Sequence, residues 1–89
     1  MKVGMIRNNV KKVEGFDVQI ICEDLRKPFR SNKELDFLFD YKRAASAKMT
    51  VSQWSRQRMP DDTDILVLNG EGAPVHGRTT LSSVRQTYQ

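Results

Sequence analysis

His76 is the single histidine and Cys22 the single cysteine of this 89-residue chain, so a nucleophile-and-base pair would have to recruit one or both of them. No spacing selects a serine, or Cys22, as the partner of His76, and a hairpin histidine beside Gly77 is the simpler reading. One His and one Cys also fall short of the ligand set of a zinc site in a monomer. Asp61, Asp62 and Asp64 could offer carboxylate oxygens to a divalent cation. They lack the alternating aspartates and closing glutamate of a calcium loop, and they follow Pro60 where a solvated helix-ending loop is expected. Gly70, Gly72 and Gly77 are spaced as turn glycines without the Lys-Ser/Thr of a phosphate loop. The expectation is a non-enzymatic protein with no metal and no cofactor.

The positive feature is electrostatic. Lys42, Arg43, Lys48, Arg56 and Arg58 lie in a stretch that contains no acidic residue, on a chain whose net charge is +4. Thr50 and Gln53 have the spacing of a capping box, which predicts a helix over 51–59 that stops before Pro60. Such a helix presents Ser52, Gln53, Arg56 and Gln57 outward, and these side chains bond phosphates and base edges. Its first amides add an attraction for anions. Val51, Trp54 and the stem of Arg58 form its inner face. Trp54 reads first as core, and otherwise as a stacking platform or a partner contact.

Residues 49–58, Met-Thr-Val-Ser-Gln-Trp-Ser-Arg-Gln-Arg, resemble the opening helix of small phage excisionases. Residues 51–58 also resemble the recognition helix of repressor-type helix-turn-helix domains. Both resemblances imply DNA contacts from this helix. Both families place a second helix three or four residues away, whereas Pro60 and a hairpin pattern intervene here. Gly77-Arg78-Thr79 resembles the minor-groove loop of bacterial nucleoid silencers, which implies a groove contact for Arg78.

Two strand patterns frame the helix. In residues 16–22, Phe16, Val18, Ile20 and Cys22 alternate with Asp17 and Gln19, the period of a half-buried strand. The polar run 23–28 then makes a turn, and Phe29 begins a return strand. A second hairpin runs through 64–68, turns at Asn69-Gly70 and returns through Val75, with Pro74 confining the return to an edge. Residues 17–29 and 64–75 share an aspartate, an apolar run, an acidic turn and a proline. Residues 35–47 are ambiguous, since Leu35, Phe37 and Phe39 alternate like a strand while Ala44, Ala45 and Ala47 favour a helix. Thr79 or Thr80 caps a last helix with Leu81, Val84 and Tyr88 on one face. That stripe packs, or, left exposed, serves a homodimer or another partner.

The predicted architecture is α+β: one small domain over 13–89, with two antiparallel hairpins flanking a short basic helix and a short C-terminal helix. Residues 1–12 carry Lys2, Arg7, Lys11 and Lys12 without an acid, and are expected as a loose basic arm or one edge strand. No stretch has the roughly 18 apolar residues of a membrane span. A lone cysteine fits a reducing cytoplasm. The first functional expectation is a nucleic-acid-binding accessory protein using Lys42, Arg43, Lys48, Arg56, Arg58 and Arg78 on phosphates and Gln53 or Gln57 on bases. The alternative is a protein-interaction module, such as an inhibitor or anti-defence factor that binds a host protein through a hairpin edge, Trp54 or Tyr88.

Overall fold

A computed structural model of the chain describes residues 1–22, 26–60 and 63–89; the turn residues Glu23, Asp24 and Leu25, and the aspartates Asp61 and Asp62, lie outside the described residues. The described elements are α1 (Val3–Glu14), β1 (Asp17–Cys22), β2 (Lys27–Pro28), α2 (Val51–Arg58), β3 (Asp64–Leu68) and α3 (Leu81–Gln86). They form an α+β fold with three helices and a three-stranded antiparallel sheet of order β2-β1-β3.

The N-terminal segment corrects the expectation of a loose arm or an edge strand, because residues 3–14 are helical. Val3, Ile6 and Val10 repeat at i, i+3 and i+7, and each is at most 1% exposed, so helix formation buries an apolar stripe that an extended arm would leave in water. The helix ends at Gly15, whose φ of 85° lies in the left-handed region and whose N–H donates to the Lys11 carbonyl. Lys11 and Lys12 in the last turn complement the helix dipole. The absence of acids thus reflects a solvated helical face, not an unstructured tail.

β1 follows its predicted alternation, with Phe16, Val18 and Ile20 buried. Its two return partners are distributed differently from the expected pair of hairpins. β2 pairs with the end of β1 through Ile21 opposite Pro28 and Cys22 opposite Lys27. β3 pairs with the other edge of β1, from Asp17 opposite Leu68 to Ile21 opposite Asp64. The stretches 17–22 and 64–68 are therefore neighbours in one ladder. The return after β3 shrinks to a single bridge, Leu68 to Pro74, flanked by Val75 N–H to the Val67 carbonyl and Asn69 N–H to the Ala73 carbonyl. Pro74 has no N–H with which to extend it. Within the turn the Asn69 side-chain oxygen accepts from the amides of Glu71 and Ala73. Gly70 passes so close to Thr87 that a Cβ would overlap the Thr87 carbonyl oxygen, which accounts for the glycine in the Asn-Gly pair.

Residues 29–49 form no helix or named strand. They wrap α1 as an irregular strap pinned by buried Phe39 and Ala45, with Leu35 and Phe37 half-buried and Leu38 exposed. The alternation of Leu35, Phe37 and Phe39 is thus real without a ladder. α2 and α3 start where their caps predict. The Gln53 amide donates to Thr50 Oγ1 at 3.3 Å while the Thr50 amide donates to Gln53 Oε1 at 3.0 Å, and the Ser83 amide donates to Thr80 Oγ1 at 3.3 Å. α3 is separated from α2 by β3, so the helix-turn-helix resemblance of residues 51–58 does not extend to the fold.

Tyr88 closes the far end of the ladder. The Asp17 amide donates to its hydroxyl at 2.8 Å and the hydroxyl donates to the Leu68 carbonyl at 2.6 Å. Tyr88→Phe leaves both backbone groups unpaired and is expected to cost about 1–3 kcal/mol. The check is a lower urea midpoint at unchanged m-value.

Candidate basic surface around α2

Two segments of the chain, 41–60 and 72–89, contain no acidic side chain. The fold packs them against each other. Thr50 and Thr80 form an antiparallel bridge, the Val51 amide donates to the Thr79 carbonyl, the Ser52 amide to the Gly77 carbonyl, and the Leu81 and Ser82 amides to the Met49 and Ala47 carbonyls. This half of the molecule carries Lys42, Arg43, Lys48, Arg56, Arg58, Arg78 and Arg85, and its own described residues include no carboxylate side chain to offset them.

The carboxylate comes from α1. Glu14 is 1% exposed. Its Oε2 lies 2.7 Å from Arg58 and its Oε1 3.1 Å from Arg85, while the Ala45 amide donates to Oε1 at 2.8 Å. Arg58 also donates to the Arg43 carbonyl at 2.7 Å and stacks 4.2 Å over the Tyr41 ring. Arg85 also donates to the Glu14 carbonyl at 2.6 Å. The triad fixes α1, the strap, α2 and α3 at one point. Its chemistry is structural: two guanidinium groups and one amide satisfy a buried carboxylate that would be costly alone. Arg58, expected as a phosphate contact, is therefore assigned to this network. No signal in the sequence marks Glu14 apart from its place at i+4 from Val10 on the apolar face of α1.

The remaining predicted residues distribute around α2 as follows. Lys42 and Arg43 are exposed on the strap at the C-terminal end of α2, where Tyr41 Oη donates to the Gln57 carbonyl at 3.4 Å. Arg56, Gln57 and Gln53 are exposed on the helix itself. Gln53 Oε1 is committed to the capping box, which leaves its amide nitrogen for other contacts. Arg56 lines an open groove with Ser52, Ser55, Leu66, Val75 and Gly77. Lys48 and Arg78 are exposed on the two turns that precede α2 and α3. The structure thus brings Arg56 near the turn of Arg78, and sets Lys42 and Arg43 apart at the opposite end of the helix. Lys42, Arg43, Lys48, Arg56 and Arg78 form no ion pair among the described residues.

The structure corrects the anion expectation at α2 and the partner-contact alternatives for Trp54 and Tyr88, while the first readings of Trp54 as core and of the C-terminal stripe as packing stand. The N-terminal amides of α2 are not available to an anion, because those of Val51 and Ser52 are donated to the 77–79 loop and that of Gln53 to its own cap. Trp54 is 0% exposed and meets Phe16 edge-on at 5.0 Å between ring centroids, so it is core and cannot contact a partner. Leu81 and Val84 are likewise 0% exposed, and the Tyr88 hydroxyl is spent on the ladder, so this stripe offers no apolar face to a dimer.

The other candidate chemistry is dispersed. His76 Nδ1 accepts from the Arg78 amide at 3.1 Å, the role of a turn side chain. Asp64 is exposed on β3 opposite Ile21. Among the described residues no three His, Cys, Asp or Glu side chains gather as a metal site, and no helix is long and apolar enough to cross a membrane. No protein-family model, curated protein or solved structure matches this chain.

Proposed function

We propose that this protein is a small, non-enzymatic, cytoplasmic regulatory or accessory factor that binds nucleic acid through phosphates. Lys42, Arg43, Lys48, Arg56 and Arg78 supply the cations, and Gln57 and the free amide nitrogen of Gln53 reach base edges. One observation supports this reading above the others. Two acid-free segments pack together, and the carboxylate that enters between them neutralises only Arg58 and Arg85. The other cations of this half meet water rather than carboxylates of the described residues. A surface of that kind attracts a polyanion over the Debye length, about 8–10 Å at physiological salt.

The test is the salt dependence of binding to a labelled duplex. With five phosphate contacts the slope of log K against log salt is about −4.5, a loss of roughly 500-fold between about 50 and 200 mM salt. Arg56→Gln and Lys42→Gln are each expected to flatten it by about one unit. Arg58 is unsuitable for this experiment, since reversing its charge would set a second carboxylate against buried Glu14 and report on folding. A flat salt profile would remove the nucleic-acid reading in favour of a protein-interaction module that binds a host protein. That second reading draws on the open edge of β3 ahead of Val67, where Leu66 is 36% exposed.

A further inference from the structure

The two turns that carry Lys48 and Arg78 are related by a local two-fold axis. Residues 46–53 and 76–83 correspond position by position at an offset of 30. Each begins with a turn closed at 3.0 Å, Met49 N–H to the Ser46 carbonyl and Thr79 N–H to the His76 carbonyl. In each, the first side chain accepts from the amide two residues on, Ser46 Oγ from Lys48 at 3.3 Å and His76 Nδ1 from Arg78 at 3.1 Å. The contacts between them are reciprocal. Val51 N–H donates to Thr79 and Leu81 N–H to Met49, both at 2.9 Å; Ser52 N–H donates to Gly77 at 3.0 Å and Ser82 N–H to Ala47 at 3.1 Å. Thr50 and Thr80 face each other across the axis and each caps the helix that follows. Lys48 and Arg78 therefore occupy equivalent positions, one at the tip of each turn.

We infer that this pair of turns is a two-fold clamp that places Lys48 on one strand and Arg78 on the other strand of a nucleic-acid duplex. The inference rests on the nucleic-acid reading above and narrows it to double-stranded ligands. The strands of a duplex are antiparallel and are related by two-fold axes perpendicular to the helix, so a protein element with its own two-fold presents the same group to each strand. The spacing fits. In an antiparallel pair each cation lies two residues from the bridge in opposite directions, so their backbones are on the order of 13 Å apart at about 3.3 Å per residue, and shorter where the turns fold back. Flexible side chains on that base span a groove of about 6–12 Å between phosphate rows. The surroundings suit phosphate oxygens, since Ser46, Ser52, Thr79 and Ser82 carry hydroxyls and neither segment holds an acid. Both contacts are to backbone phosphates and carry no base preference.

The test compares Lys48→Gln, Arg78→Gln and the double variant on one duplex and on its separated strand. Each single variant is expected to weaken duplex binding by about eightfold at 0.1 M salt and to reduce the salt slope by about 0.9, and the double variant by roughly 60-fold. Lys48→Arg and Arg78→Lys should keep the slope. On the single strand each single variant is expected to lose about twofold at most and the double variant about eightfold, one contact's worth rather than two, because one strand engages one cation at a time. Both side chains are exposed, and unchanged thermal unfolding of the variants confirms that binding alone is read. The clamp is overturned if only one of the two residues matters, if the single strand binds as tightly as the duplex, or if both variants bind like the parent while Arg56→Gln and Lys42→Gln weaken binding. That last outcome leaves the nucleic-acid reading intact. Failure of the parent protein to bind either ligand overturns both.

Discussion

Glu14→Ala is expected to lower the unfolding free energy by about 3–5 kcal/mol, because removing the shared partner leaves two partly buried guanidinium groups uncompensated. The side chains of Arg58 and Arg85 are only 17% and 22% exposed, so water cannot replace the carboxylate without movement of α2 and α3. A domain of this length has a total stability of roughly 5–13 kcal/mol, so the loss is about a quarter of it or more. The same variant also frees the Ala45 amide and unpins the strap beside Lys42 and Arg43. A triple replacement, Glu14→Leu with Arg58→Met and Arg85→Met, should recover most of the stability, since exchanging a complete buried ion cluster for apolar side chains is often neutral or favourable. Urea melts of both variants check this. A triple variant as unstable as Glu14→Ala would mean that packing at this point, not charge balance, sets the cost.

Trp54→Ala is expected to cost about 3–5 kcal/mol through the cavity it leaves between α2 and β1. Trp54 is the only tryptophan and the largest fully buried side chain, and its edge contact with Phe16 ties the helix to the sheet. Its indole N–H is buried without a hydrogen-bond partner among the described residues. Trp54→Phe should therefore be much milder, because the desolvation cost of that unpaired donor disappears with it. Circular dichroism melts separate the two variants. Near-equal midpoints for the alanine and phenylalanine variants would contradict this account of the core.

Local chemistry made some of this legible and long-range packing hid the rest. The capping box at Thr50 and the cap residue Thr80 involve neighbours in sequence, so both helix starts could be read directly. The alternation of Phe16, Val18 and Ile20 likewise needs no knowledge of partners. α1 was obscured by its charges: Lys2, Arg7, Lys11 and Lys12 suggest a tail, while the stripe of Val3, Ile6 and Val10 is interrupted by exposed Met5 and by Gly4. The β1–β3 ladder joins residues about fifty positions apart, and composition does not specify such pairing. Arg56 and Arg58 look alike in sequence, yet one is exposed and the other closes a buried ion triad, since only the second lies on the inner face opposite Glu14. The similarity of 17–29 to 64–75 marks two strands that pair with each other. The correspondence that generates the two-fold, Ala47-Lys48-Met49-Thr50-Val51-Ser52 with Gly77-Arg78-Thr79-Thr80-Leu81-Ser82, was present in the sequence at a different offset.

Nucleic-acid binding by this protein requires the cations of the acid-free half to act together on a polyanion, and titrating a duplex with the intact protein across a series of salt concentrations addresses that directly. The expected result is a steep, linear fall of log affinity with log salt that becomes shallower when Arg43 and Arg56 are both changed to glutamine. Affinity that is indifferent to salt, or a slope that survives those substitutions unaltered in a correctly folded variant, would contradict it.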